Sequence, residues 1–138
     1  MPTIKHVFSF FATLALAPVY LSPSAAAAGD TYEHEKQVLM RIEPDTRLEQ
    51  VCDWEAMKRI SRATGFRPDR AKSNITVPPT HYGTAMTATG GAFCSKGKWY
   101  ALSFKCVGNG DRTKVLSLSF QIGAEIPKRR WDDLALWP

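Results

Sequence analysis

The chain lacks an unbroken apolar run of the roughly 20 residues that a membrane-spanning helix requires. Its longest candidate, Val7 to Ala17, is interrupted by Ser9 and Thr13 and meets Pro18. A permanent helical anchor is therefore not expected. Histidine is scarce, with only His6, His34 and His81, and none is spaced with cysteine or acidic residues in a metal-ligand pattern. A glycine-rich phosphate loop and a serine nucleophile elbow are also missing, so neither a cofactor nor a metal is expected. No cysteine precedes Cys52, which leaves no new N-terminal cysteine for lipid attachment after processing. Internal repeats are absent too, and one compact domain is the simplest organisation.

The front of the chain has the parts of a bacterial secretory signal. Lys5 supplies the charged region, the Val7 to Ala17 run the apolar region, and Ala26-Ala27-Ala28 the small-residue cleavage site. We expect residues 1–28 to be a signal peptide cut after Ala28, and the mature chain to be periplasmic or secreted. Loss of Lys5 leaves 17 basic and 13 acidic side chains, a formal net charge of +4. In that compartment anionic envelope polymers, lipid head groups or acidic proteins are better partners than nucleic acid. A charge of this size also serves solubility alone.

Residues 29–45 read as a flexible lead-in, with Val38, Leu39, Met40 and Ile42 forming one helical turn or a short strand. Residues 46–138 then form a single α+β domain. Thr46-Arg47-Leu48-Glu49 has the form of a capping box. Leu48, Val51, Cys52, Ala56, Ile60 and Ala63 recur at helical spacing on one face, with Trp54 and Met57 outside that arc. Gly65, Phe66 and Pro68 mark a glycine-capped end. Residues 67–83, rich in proline, read as a long irregular connection.

Beyond Thr84 the period changes to two. Short strands are expected near 84–88 and 91–94, and longer ones over 98–107 and 113–122. Tyr100, Leu102, Phe104 and Cys106 share one face of the first long strand, and Leu116, Leu118, Phe120 and Ile122 one face of the second. For both sets to face the core, paired residue numbers must sum to an even value. A three-residue loop with Gly110 in the left-handed region meets that condition. Pro127 opens a short C-terminal helix, and Trp131, Leu134, Leu136 and Trp137 are available to cover the sheet. The expected fold is a helix packed on a small antiparallel sheet of about four strands.

Three cysteines leave one over after any pairing. Across the Ser95-Lys96-Gly97-Lys98 turn, Cys94 pairs near residue 98 or 99, and Cys106 lies seven or eight residues beyond. At about 3.3 Å per residue that is more than 20 Å, against roughly 5.5 Å between the alpha carbons of a disulfide. Cys94 with Cys106 is excluded if the hairpin forms. Cys106 lies on the sheet's apolar face and Cys52 on the helix face that covers it, so the expected bond is Cys52 to Cys106. Cys94 is then a free thiol near a turn.

Several segments carry a resemblance. They are Arg47-Leu48-Glu49-Gln50 with Cys52, Arg67-Pro68-Asp69-Arg70, Gly97-Lys98-Trp99-Tyr100 with Ser103-Phe104 and Cys106, Lys114-Val115-Leu116-Ser117, Ile122-Gly123 and Ile126-Pro127. Over residues 44–137 the chain resembles a small alphaproteobacterial family of exported proteins known only as a domain of unknown function. The resemblance implies export and a shared domain, and carries no activity with it. It also implies cysteines at positions 52 and 106, with arginine usual where this chain has Cys94.

Chemistry-bearing groups are sparse. Tyr32-Glu33-His34-Glu35 offers adjacent ligands whose side chains diverge, and it reads as a solvated segment. Cys94 with His81 as base would need a lowered thiol pKa and a third, orienting group. Glu49 with Glu55 reads as capping and helix surface, and Asp132 with Asp133 as a helix start. Trp99, Tyr100, Trp131 and Trp137 offer an aromatic platform or, more simply, core and rim. The most concentrated feature is basic: Lys58, Arg59, Arg62, Arg67, Arg70 and Lys72, opposed mainly by Asp69. Arg59 and Arg62 also suit a helix C-terminus.

The leading expectation is a non-enzymatic envelope module that docks an anionic polymer or acidic protein through residues 58–72. A hydrolase acting on envelope material is the alternative, and it lacks a recognisable catalytic set. An inhibitor or accessory factor is the third.

Overall fold

A computed structural model describes residues 25–138 and the side chains from Gly29 onward. The expected signal peptide lies outside the described residues except for Ala25–Ala28, which open a helix. That helix, α1 (Ala25–Leu39), occupies the segment expected to hold one turn or a short strand. A turn at Met40 to Ile42 leads into α2 (Pro44–Ala63). Among the described residues no helix is long and apolar enough to cross a membrane.

The start of α2 corrects the expected capping box. Glu43, not Thr46, caps the helix, its carboxylate accepting from Asp45 N and Thr46 N at 2.9–3.1 Å. Pro44 sits in the first turn, where its missing N–H is no loss. The far end differs as well. Thr64, extended, is the last half-helical residue, and its Oγ1 donates to the Ile60 carbonyl at 2.7 Å. Gly65 does not take a left-handed conformation. The expected apolar contact does form, with Phe66 packed against Phe93 and Tyr100.

The stretch expected to be irregular contains two short strands, β1 (Pro68–Lys72) and β2 (Thr80–Tyr82). Both pair with one edge of β3 (Ala85–Ser95), β1 along Ala92–Ser95 and β2 along Ala85–Thr87. The two strands expected near 84–88 and 91–94 are thus one, bulged between Ala88 and Gly91. There β3 meets the connection from β1: Ile75 N and Thr76 N donate to the Gly90 carbonyl at 2.8 Å. A side chain on Gly90 would come within 2.5 Å of Val77 N, so glycine alone permits this crossing.

β4 (Lys98–Gly108) and β5 (Val115–Glu125) complete an antiparallel sheet in the order β1-β3-β4-β5. Cys106 pairs with Leu118 and Phe104 with Phe120, so the even-sum register holds. A longer loop produces it. Asn109 Oδ1 accepts from Thr113 N and Lys114 N, and the residue with positive φ is Arg112 rather than Gly110.

α2 covers one face of the sheet. Leu48, Cys52, Ala56 and Ile60 pack on Met86, Ala88, Phe93, Leu102, Phe104, Cys106 and Leu118. Leu116, expected in this core, is 66% exposed near the start of β5. The Cys52–Cys106 disulfide ties helix to sheet, with alpha carbons 6.2 Å apart. The opposite face carries a smaller core of Ala92, Cys94, Trp99, Trp131 and Leu136. It is closed by the C-terminal segment, whose expected helix is only a 3₁₀ turn, Lys128–Arg130.

Candidate functional site

Arg47 shows how the sequence positions the helices. Buried at the start of α2, its guanidinium donates to the carbonyls of Leu39, Met40, Ile42 and Asp111. Those bonds fasten the turn before α2 to the β4–β5 loop. Lys36 Nζ adds an ion pair to Asp111 at 2.8 Å, and Tyr32 Oη lies 3.3 Å from Thr113 Oγ1. α1 is therefore held against the β4–β5 loop, and a groove of about 610 Å³ lies between it, α2 and that loop.

Val38, Leu39, Val51, Trp54 and Val115 form the apolar wall of this groove. Trp54 is 61% exposed, a large apolar surface for a residue outside a core. Lys58 Nζ lies 5.3 Å from the centre of its ring, and Lys114 Nζ lies 3.5 Å from that of Tyr32. Residues 54, 58 and 62 follow at intervals of four on α2, so Trp54, Lys58 and Arg62 make one exposed stripe. Glu55, also in the lining, is paired with Arg59 at 2.8 Å.

The six basic residues expected to act together are divided by the fold. Lys58 and Arg62 belong to the α2 stripe. Arg59 is turned away, donating to Glu55 and to the Leu118 carbonyl of β5 at 2.8 Å. Arg67 is exposed beyond α2 and donates to the carbonyls of Ser61 and Phe66. Arg70 is engaged on the other face of the sheet: it donates to the main-chain oxygens of Trp137 and Pro138, contacts Cys94 Sγ at 3.2 Å and lies over Trp99 and Trp137. Lys72 Nζ sits 4.4 Å from the Trp137 ring centre. These last two cations lie against Trp137 and Pro138.

Cys94 is free and near the Lys96-Gly97 turn, as expected, and it is fully buried. Burial pushes its thiol pKa up and Arg70 opposes that shift only in part, which is the reverse of nucleophile activation. The pairing with His81 does not occur either. His81 pairs with Met86, eight residues along β3 from Cys94, or about 26 Å at strand spacing. The aromatic platform is not assembled, because Trp99 and Trp131 are buried and Tyr100 stacks on Phe93. Asp133 faces Arg130 at 3.8 Å.

One polar cluster has no counterpart in the sequence reading. Asp53 Oδ2 accepts from Ser73 N at 3.2 Å and from Ser73 Oγ at 3.4 Å, while its Oδ1 is buried without a hydrogen-bond partner. Burial pushes the Asp53 carboxyl up to about 7, against the opposing pull of the two Ser73 bonds. One turn earlier, Glu49 Oε1 lies 3.3 Å from His81 Nε2, near enough for an ion pair but misaligned for a hydrogen bond. Burial raises Glu49 as well. Glu49 and Asp53 stand four apart on α2, a spacing visible in the sequence. Their partners come from the residue after β1 and from β2, neither of which the sequence pattern reveals. No group of ligands suited to a metal ion forms among the described residues.

Residues 39–136 match the family model described as Domain of Unknown Function (DUF930). The chain belongs to that family. The match begins at Leu39, so the DUF930 region includes α2, the whole sheet and the C-terminal segment, and only the last residue of α1. No curated protein and no solved structure matches the chain.

Proposed function

We propose that this DUF930 protein is an exported, non-enzymatic module of the cell envelope that binds an acidic protein segment bearing apolar side chains. Its seat is the groove between α1 and α2. The observation that carries the reading is the exposed indole of Trp54 at the mouth of that groove, with Lys58 lying over it. An apolar wall beside Lys58, Arg62 and Lys114 suits a partner that is anionic and apolar together. A fully hydrated polymer would use the cations and leave the wall empty. The disulfide supports export, since such bonds persist in oxidising compartments.

The test is a photo-crosslinking residue in place of Trp54 in the mature protein, expressed in its own cell envelope. The expected product is a crosslink to one acidic protein. It should be lost in the Lys58→Gln/Arg62→Gln/Lys114→Gln triple variant. It should also weaken as the Debye length contracts from about 10 Å at 0.1 M salt to 3 Å at 1 M. Labelling no greater than from a probe at Gln121, or labelling of a carbohydrate polymer alone, overturns the reading.

A further inference from the structure

We propose that Asp53 and Ser73, beside the Glu49 and His81 pair, form a proton-operated clasp: with Asp53 neutral, the connection from Ser73 to Tyr82 lies closed on α2, and with Asp53 ionised it opens and uncovers the β3 edge at Thr87 to Gly91. The connection is attached at few points. Ser73 bonds Asp53, Ile75 and Thr76 bond the Gly90 carbonyl, Ile75 packs against the smaller core, and β2 pairs over only three residues. Loss of the first point loosens the rest.

The geometry gives the direction. Asp53 has one oxygen satisfied by Ser73 and one buried with no donor facing it. A neutral acid tolerates that position, whereas a carboxylate places negative charge on an unsolvated, unpartnered atom. The neighbours do not reverse this. Lys72 of β1 favours the ion, Glu49 of α2 disfavours it, and burial outweighs both. His81 of β2 acts on Glu49, which also feels Asp45 in the first turn of α2 and the capping Glu43. The Asp53 pKa is raised on folding, so its contribution is complete below the ordinary value of 3.8 and is lost as pH rises through about 7.

The experiment is amide hydrogen exchange on the mature protein at about pH 5 and pH 8.5, with protection corrected for the intrinsic pH dependence of exchange. Ser73, Ile75 and Thr76 should lose protection about tenfold or more on going to the higher pH, a change of roughly 1.4 kcal/mol in opening, while Leu102 to Cys106 in β4 hold theirs. Asp53→Asn, which keeps an acceptor for Ser73 and cannot ionise, should be protected equally at both pH values. His81→Gln should retain the wild-type response. Flat protection in the wild type overturns the clasp. So does a pH response that survives in Asp53→Asn, or one that disappears only in His81→Gln.

Discussion

The two faces of the sheet are closed by different means. Under α2 the contact is apolar and covalently locked: aliphatic and aromatic side chains meet Leu48, Ala56 and Ile60, and the Cys52–Cys106 bond runs through the middle. On the other face an irregular segment is held at its end by directed polar bonds, from the Trp99 indole and the Arg70 guanidinium to main-chain oxygens. A helix can satisfy its own backbone while it buries a side-chain face, but an irregular segment needs donors from elsewhere. This difference accounts for Arg70 and Lys72 lying against tryptophan rings on that face.

If the α2 face depends on its covalent lock, removing the lock should have the larger effect. Cys52→Ala with Cys106→Ala should lower unfolding stability by about 4 kcal/mol, the chain-entropy value for cysteines 54 residues apart. Urea unfolding without reductant measures it. A loss no larger than that of a surface substitution would show that apolar packing alone secures the helix.

The opposite face should yield to a single hydrogen bond. Trp99→Phe keeps a ring and removes the N–H that donates to Trp137 O at 2.9 Å. We expect a loss of about 1 kcal/mol. Trypsin should also cut faster at Lys128, Arg129 and Arg130, and Cys94 should become reactive toward a thiol reagent. Unchanged cutting would mean that the Trp99 bond is not what holds the segment, and that Arg70, Lys72 and the packing of Trp131 and Leu136 suffice.

The smallest effect concerns α1, which neither core retains. Its bond from Lys36 holds the Asp111 carboxyl down at about 2, below its ordinary 3.8. A lowered carboxyl contributes above the ordinary value and loses its contribution as pH falls toward 2. Helical content assigned to α1 by carbon chemical shifts should therefore decline between about pH 4 and pH 2, while that of α2 persists. Asp111→Asn should show the weakened α1 already at neutral pH.

The parts legible in the sequence are those where side-chain period and buried surface coincide. Leu102, Phe104 and Cys106 alternate in β4, Leu48, Cys52, Ala56 and Ile60 follow helical spacing, and the two patterns together locate the disulfide. β1 is illegible for the opposite reason: Pro-Asp-Arg-Ala-Lys has no apolar alternation, and it is a strand because β3 presents an edge to it. Thr46 matched a capping pattern, yet Glu43 lay one turn earlier with an acceptor that reached both free amides. For the candidate site, closeness along the chain from Lys58 to Lys72 is not closeness in space. The turn from helix to strand at Phe66 and Arg67 separates those cations, whereas the four-residue recurrence of Trp54, Lys58 and Arg62 survives folding because it is itself helical.

The bond from Arg59 to the Leu118 carbonyl also affects how copies of this protein can coexist. β5 is the last strand of the sheet, and no charged side chain occurs from Val115 to Ala124. Such a strand is a template on which another chain's strand can grow into a fibre. Arg59 sets a guanidinium against the middle of that strand, donating to the Leu118 carbonyl at 2.8 Å. Without that bond, a neighbouring copy's strand would meet an uncharged stretch of edge from Val115 to Ala124.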